Sequence, residues 1–381
     1  MSEDRNFFSK NIKFFIFGYF GWYNAGDDAI GVAILRELFK KYPQSEFRVT
    51  INEPYFLSEN NFDKNIQPID FNIFSILKAI KDSDEFIIAG GTHFQDQDEF
   101  LIRKIKVFLF FSLIVACASI IKKSPLLLGH GIGPISTSWI KFLVKRILNN
   151  SRYIIVRDQG SYNFVKSLGF ENKSCRGFDV SAILVDNFNS VYNSDDKDKT
   201  LGVSLLPFYS IYSREGFKDD QVVNIFGKCI NGILKRNSDI KFKLFAFRSG
   251  KHHSDEPIIM KLVSQLKEYS NRVTLVVYRG DLSHFLSEIR SCCAFIGMRY
   301  HSSLFAYLFN KPLIMIDYQE KCKGLAKDIL ISEDAILPLN TIDSSTLCEK
   351  MNDLLLNPFK YTAKMPVRDA VNRVKEMLMH V

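Results

Sequence analysis

The sequence predicts an α/β protein of two Rossmann-like domains, and three observations carry that expectation. Short apolar runs alternate with helix-length periodic stretches from one end to the other, the pattern of parallel strands joined by crossover helices. Each run is apolar at successive positions, as strands covered on both faces require. A polar, aperiodic tract then divides the series into two halves. The 381 residues exceed what one hydrophobic core usually organises. A composition of 46% apolar and 24% charged side chains excludes disordered and fibrous classes.

Ile12 to Gly18 reads as the first strand and Asp28 to Tyr42 as the helix after it. Phe47 to Ile51, Glu85 to Ala89, Pro125 to Leu128 and Tyr153 to Val156 continue the strands of the first domain. Val107 to Ile121 is almost wholly apolar but falls short of the ~20 residues that a spanning helix needs, so it reads as a buried crossover helix. Lys104 and Lys106 before it, and Lys122 and Lys123 after it, are compatible with a peripheral contact with lipid. Residues 185–200 turn polar and read as a linker.

The second series runs through a strand at Leu201 to Leu205, a helix from Asp220 to Arg236, a strand at Lys241 to Phe247 and a helix to Tyr269. It continues with a strand at Val273 to Tyr278, a helix from Asp281, a strand at Cys293, a helix opening at Arg299 to His301, and a strand at Pro312 to Asp317. The expected domains are 1–190 and 198–360, facing across a cleft in a GT-B-like architecture. A final segment, 361–381, holds a helix at Val367 to His380 expected to pack back on the first domain.

A formal net charge of +8 favours anionic ligands or an acidic membrane surface. Lys and Arg are scattered, which argues against a nucleic-acid footprint. The seven cysteines, among them Cys117, Cys229, Cys292 and Cys293, lie mostly in apolar patterns, without a close Cys-x-x-Cys pair for zinc. They read as reduced, buried thiols of the cytoplasm. The acidic start leads directly into a strand, unlike a secretory signal.

The most informative stretch is Gly297 to Lys323. An apolar strand ends in Gly297, and a helix opens with Arg299 and His301 on its first residues. Unpaired amides and about half a positive charge make a helix start a site for an anion. Arg299 can hold a phosphate or carboxylate bidentately, with His301 near enough to move a proton. A cation is unfavourable at that end of a helix, so a partner anion would relieve the conflict. Arg248 ends a strand and is expected to point toward Arg299, giving two guanidinium groups for a doubly anionic ligand. The loop Lys251, His252, His253, Asp255 suggests a metal tract, yet reads better as a solvated loop in which Ser254 caps the next helix. No metal site is expected.

In the first domain, Gly18 to Asp28 is a Gly-rich turn between strand and helix. Its Gly spacing differs from the dinucleotide fingerprint, and Asp27 or Asp28 fits an N-cap. Gly90-Gly91-Thr92-His93 and Gly129-His130-Gly131-Ile132-Gly133-Pro134 each follow a strand at the carboxyl edge of the sheet. Arg157-Asp158 with Ser161 fits an ion pair plus cap, and Asp179 after Phe178 could bind a hydroxyl.

These blocks, in this order, resemble the polysaccharide pyruvyl transferase family. Gly297-x-Arg299-Tyr300-His301 with Tyr318-x-x-Lys321 matches its C-terminal signature, and Gly18 to Asp28 is similar to its first Gly-rich turn, with Asp28 where many members carry Glu. Gly90-Gly91, Gly129 to Pro134, Val156 to Ser161 and Phe178-Asp179 follow in the family's order. The second glycine block departs at His130, where members often carry Gln.

The resemblance implies transfer of a pyruvyl group from phosphoenolpyruvate to two hydroxyls of a sugar residue, lipid-linked or not, without a further cofactor. It would place Arg248, Arg299, Tyr300 and Lys321 on the donor, and Asn24, Asp28, His93, His130 and Asp179 on the saccharide acceptor. His301, Arg299 and Asp27 would be catalytic. The same residues leave open a nucleotide-sugar-dependent glycosyltransferase and a non-catalytic saccharide-binding or assembly protein. Placement in the cytoplasm is the expectation, with association at the inner face of a membrane and the oligomeric state left open.

Overall fold

The computed structural model describes residues 11–62, 66–96, 101–188, 199–213, 215–251 and 253–381. The first ten residues, most of the polar linker and His252 lie outside them. The chain divides into two compact units, one of residues 1–22, 26–183 and 371–381, the other of residues 23–25 and 184–370.

The first unit runs β1 (Lys13–Phe20), α1 (Ala25–Lys41), β2 (Glu46–Ile51), α2 (Tyr55–Ser58), β3 (Ile66–Ile69), α3 (Ile73–Lys81) and β4 (Glu85–Ala89). It continues with α4 (Leu101–Ile120), β5 (Leu126–His130), α5 (Ser138–Asn149), β6 (Tyr153–Val156), α6 (Gln159–Ser167) and β7 (Ser174–Arg176). Its seven strands are parallel in the order β3-β2-β1-β4-β5-β6-β7. Phe15, Phe17, Ile88 and Leu127 meet Phe108, Phe111, Val115 and Val144 of α4 and α5 in one core. Each such side chain contributes about 1.5–3 kcal/mol by leaving water.

The second unit runs β8 (Lys199–Ser204), α7 (Phe208–Tyr212), α8 (Phe217–Arg236), β9 (Ile240–Ala246), α9 (Glu256–Gln265), β10 (Val273–Val277) and α10 (Leu282–Arg290). Then come β11 (Ala294–Gly297), α11 (Tyr300–Leu308), β12 (Leu313–Asp317), α12 (Glu320–Asp328), β13 (Ile336–Pro338), α13 (Ser344–Leu356) and α14 (Val367–Leu378). Six parallel strands lie in the order β10-β9-β8-β11-β12-β13. Both sheets reverse direction beside their first strand, between β1 and β4 and between β8 and β11. Crossovers diverge there, leaving a crevice at the carboxyl ends of those strands.

The end of α14 belongs to the first unit. Lys41 Nζ and Tyr42 Oη donate to the Val381 carbonyl at 2.9 and 3.0 Å. The His380 ring stacks on Tyr153 at 4.6 Å. A Cβ at Gly177 would stand 2.5 Å from Met377 Sδ, so the helix packs closely on this glycine.

Two expectations about cysteine need correction. Cys229 of α8 and Cys348 of α13 form a disulfide, with Cα atoms 4.9 Å apart. Helix packing brings together side chains 119 residues apart, which spacing in the chain could not reveal. Cys293 is exposed and lies just before β11 instead of in it.

Helix α1 begins at Ala25, so neither Asp27 nor Asp28 is its N-cap. Asp28 is fully buried; its Oδ1 accepts from the Gly21 amide at 2.8 Å and its Oδ2 from Tyr55 Oη at 2.7 Å. That carboxylate folds the Gly-rich turn back onto α1, a structural task in place of the expected contact with a saccharide. Asp28→Ala is expected to lower the unfolding free energy by about 2–3 kcal/mol, through a stranded buried amide and phenol, as measured by urea denaturation.

Candidate active site

In the second unit, the carboxyl ends of β9, β8, β11 and β12 gather Arg248, Arg299, His301 and Tyr318 beside the reversal of strand order. Arg299 takes the N-cap position of α11 with extended backbone, φ −93° and ψ 146°. A guanidinium cannot accept a hydrogen bond, so Ser302 supplies the cap: its Oγ accepts from the Arg299 amide at 3.2 Å. The Ser204 hydroxyl in turn donates to Ser302 Oγ at 2.7 Å, tying the helix start to β8.

The anion that relieves the conflict at this helix start is part of the protein. Asp255, fully buried, accepts from Arg299 Nε at 2.6 Å and from Arg299 Nη2 in a bidentate pair. Its Oδ2 also accepts from the Arg248 amide at 3.0 Å. The expected solvated loop is therefore a buried anchor. Ser254 Oγ still accepts from the Glu256 amide at 3.2 Å, while the Asp255 side chain turns away to the arginine. Burial alone would lower the Arg299 guanidinium, but the Asp255 carboxylate outweighs it and holds the group above its ordinary value. Burial pushes the Asp255 carboxyl up, opposed by Arg299 and Arg248. Because a guanidinium keeps its proton in proteins, the pair is ionic.

Around this pair stand groups of opposite character. Burial pushes the Tyr318 phenol well up, with Arg299 and the Tyr300 backbone acting against it. Lys321 Nζ lies 5.1 Å from the centre of the Tyr318 ring, and Phe208 of α7 packs edge-on against that ring at 5.6 Å. The Tyr300 ring meets His301 edge-on at 5.1 Å, with Phe305 on the imidazole at 5.9 Å. Residues 23–25 join this unit: Asn24 forms an antiparallel bridge with Arg248, and the Ala25 amide donates to the Phe247 carbonyl at 2.9 Å. Asn24, taken as an acceptor residue, thus sits beside Arg248, taken as a donor residue. With Asp255 counted, Arg248 and Arg299 carry one net positive charge, not two.

In the first unit the reversal between β1 and β4 gathers a different chemistry. Tyr19 at the end of β1 lies 4.9 Å, ring to ring, from His93, and His93 lies 5.7 Å from His130. The nearby Asp27 carboxylate adds to burial in raising the Tyr19 phenol to about 12. His130 was expected in the turn after its strand, but β5 extends through it and buries the ring completely, with Nε2 3.0 Å from the Ile88 carbonyl. No saccharide reaches it there. Asp179 is likewise committed: Oδ2 pairs with Arg157 Nη1 at 3.3 Å, and Oδ1 accepts from Ser181 Oγ at 2.7 Å, all within the fold. Asp158 caps α6 by accepting from the Ser161 amide at 2.7 Å. Of the expected acceptor residues in this unit, His93 remains half-buried, and so does Asp27, which was expected to be catalytic.

The sequence reading placed Asp255 in a solvated loop and did not single out Tyr212, whose phenol acts on Arg299. The signal for Asp255 was an acid directly before Glu256-Pro257 at a helix start, matched by an arginine with a helix-dipole conflict.

Two outcomes are expected. Asp255→Ala strands a buried guanidinium and lowers the unfolding free energy by about 3–5 kcal/mol in urea, whereas an exposed pair would give under about 1 kcal/mol. Burial, the neighbouring ring and Arg157 depress His93 to about 3. Burial depresses His130 to about 4, with Arg157 acting the same way against the Ile88 bond. The unfolded chain binds these protons near pH 6.5 and the folded one does not, so their stabilising contribution is complete above that pH and declines as pH falls toward 4. His93→Gln with His130→Gln should flatten the loss of urea midpoint between about pH 7 and 5; an unchanged slope would remove the assignment.

Comparison with known proteins bears on this arrangement. The family model for polysaccharide pyruvyl transferase matches residues 24–320, a span that includes Asn24, Arg248, Asp255, Arg299, His301 and Tyr318. The amylovoran biosynthesis protein AmsJ of Erwinia amylovora is 20% identical over 250 residues, covering 63% of this chain and 60% of that protein. Among solved structures, the UDP-GlcNAc 2-epimerase of Neisseria meningitidis superimposes with a TM-score of 0.63 at 13% identity, covering 97% of this chain and 98% of the other. The UDP-GlcNAc 2-epimerase of Methanocaldococcus jannaschii gives a TM-score of 0.63 at 14% identity, covering 97% and 100%. At such identities the likeness speaks for the fold, which is GT-B-like with two Rossmann-type sheets. On the match over residues 24–320, this chain belongs to the polysaccharide pyruvyl transferase family.

Proposed function

We propose that the protein transfers a pyruvyl group from phosphoenolpyruvate to two hydroxyls of one sugar residue in an extracellular polysaccharide or its precursor, forming a cyclic ketal. The observation that carries this reading is the start of α11, where Arg299 and His301 stand beside Arg248 at the reversal of the second sheet. The donor presents a carboxylate and a phosphate. Arg299, fixed in place by Asp255, offers the geometry of a preorganised anchor, and Arg248 and Lys321 are two further cations assigned to the donor.

Four steps balance the reaction. The methylene carbon of the donor takes a proton, and a sugar hydroxyl adds to C2 while losing its own proton. The C2–O bond to phosphate breaks, and a neighbouring hydroxyl closes the ring, its proton leaving on the departing phosphate. Imidazole can serve one of these transfers near neutral pH, so His301 is assigned as acid or base. Arginines at the phosphate stabilise charge on the leaving group. Asp27 and His93 are assigned to the acceptor, together with Asn24. The reading calls for phosphoenolpyruvate as co-substrate and no further cofactor.

His301→Ala is expected to reduce phosphate release from phosphoenolpyruvate in the presence of a saccharide acceptor by about 100-fold or more, with the urea midpoint unchanged. Wild-type rates in that variant would remove His301 from the mechanism. Thermal stabilisation by uridine diphosphate but not by phosphoenolpyruvate would replace pyruvyl transfer with a nucleotide-sugar reaction.

A further inference from the structure

The helices over one face of the first sheet carry an outward surface that pyruvyl transfer leaves unexplained. Helices α3, α4 and α5 pack side by side, and their inner residues share one core. Helix α4 is apolar on both sides. Phe108, Phe111, Val115 and Ala118 point inward, while Lys106, Leu109, Leu113, Ala116 and Ile120 form an outward row at spacings of three and four. Leu109 and Leu113 are each 52% exposed and Ile120 is 81% exposed. Trp139 and Phe142 of α5, and Phe74 of α3, extend the same outward layer. Contiguous exposed apolar rows of this kind mark an interaction surface.

Charge identifies what the surface meets. Residues 100–157 contain ten Lys and Arg and no Asp or Glu. The remainder of the chain holds 40 basic against 42 acidic residues, so the entire formal excess of +8 resides in this segment. The cations are less scattered than their spacing suggests, because acids are missing among them. Lys106, Lys122, Lys141 and Lys145 pair with no carboxylate among the described residues, and Arg146 lies over the Phe142 ring at 5.8 Å. A second copy of this face would bring like charges together, and a nucleic acid would have no use for the leucine row. An anionic bilayer satisfies both, accepting aromatic and aliphatic side chains at the acyl boundary and lysines at the phosphates. No helix among the described residues is long and apolar enough to cross a membrane, so the helices would lie along the surface.

We propose that the outward face of α3, α4 and α5 docks the first unit on an anionic lipid surface. This inference goes beyond pyruvyl transfer and stands or falls separately from it. The test is cosedimentation of the full chain with phosphatidylcholine vesicles and with vesicles containing added phosphatidylglycerol. The expected result is binding at least about tenfold stronger to the anionic vesicles, weakening as salt is raised. Leu109→Glu with Leu113→Glu, and separately Lys141→Glu with Lys145→Glu, should each reduce vesicle affinity about tenfold or more. Phosphate release with a water-soluble acceptor should be unchanged in both. Wild-type protein remaining in the supernatant would overturn the proposal, as would variants that bind like wild type. A dimer in sedimentation velocity that the Leu113→Glu change dissolves would show instead that the face is an interface between copies.

Discussion

A carboxylate that is wholly buried cannot stay charged without compensation, and a cation at the head of a helix meets a like-signed dipole. Asp255 and Arg299 each resolve the other's difficulty. The pair fixes the loop after β9 to the turn after β11, and so sets where α11 begins and where His301, one residue into that helix, must stand. Arg248 enters the same arrangement through its amide, which donates to the Asp255 carboxylate, and through Asn24 on its other side. One buried anion thus positions both arginines of the proposed donor site and removes one unit of charge from it.

The same topological rule operates in each unit with different chemistry. Reversal of strand order opens a crevice at the carboxyl ends of β1 and β4 in one sheet and of β8 and β11 in the other. The second sheet lines its crevice with guanidinium, imidazole and phenol. The first gathers Tyr19, Asp27 and His93 at its own, with the His130 ring buried in the fold; both imidazoles are depressed far below neutrality, so these histidines remain uncharged at ordinary pH. Neutral donors and acceptors with an aromatic floor suit a sugar, whereas fixed cations suit a phosphate. Arg157 is held by Asp179 within the first unit, and its field helps keep His93 and His130 neutral.

Strands covered on both faces were legible as apolar runs, and β4 and β6 fall at the residues expected. Three edge strands, β3, β7 and β13, were not. They are three or four residues long, and β3 and β13 contain Pro68 and Pro338, which an edge tolerates because one side of it needs no ladder. His130 was misjudged for a related reason: Gly129 reads as a turn, but its φ of +75° serves a bulge inside β5, and the strand carries on into the core. The anion clamp at Arg299 could be anticipated in type but not in partner, since Asp255 lies 44 residues earlier in the chain.

The order of residues alone settled the alternation of strand and helix, the Gly-x-Arg-x-His helix start and the family, because periodicity and short motifs are local properties of a chain. Tertiary packing decided where each polar group ends up. Asp28, His130 and Asp179 are withdrawn into hydrogen bonds with Gly21, Ile88 and Arg157, while His301 and Arg248 lie past the carboxyl ends of β11 and β9. It also joined Cys229 to Cys348 and gathered unpaired lysines around an exposed leucine row. Burial and charge pairing are sums over neighbours brought together from distant positions, and no window of sequence contains them.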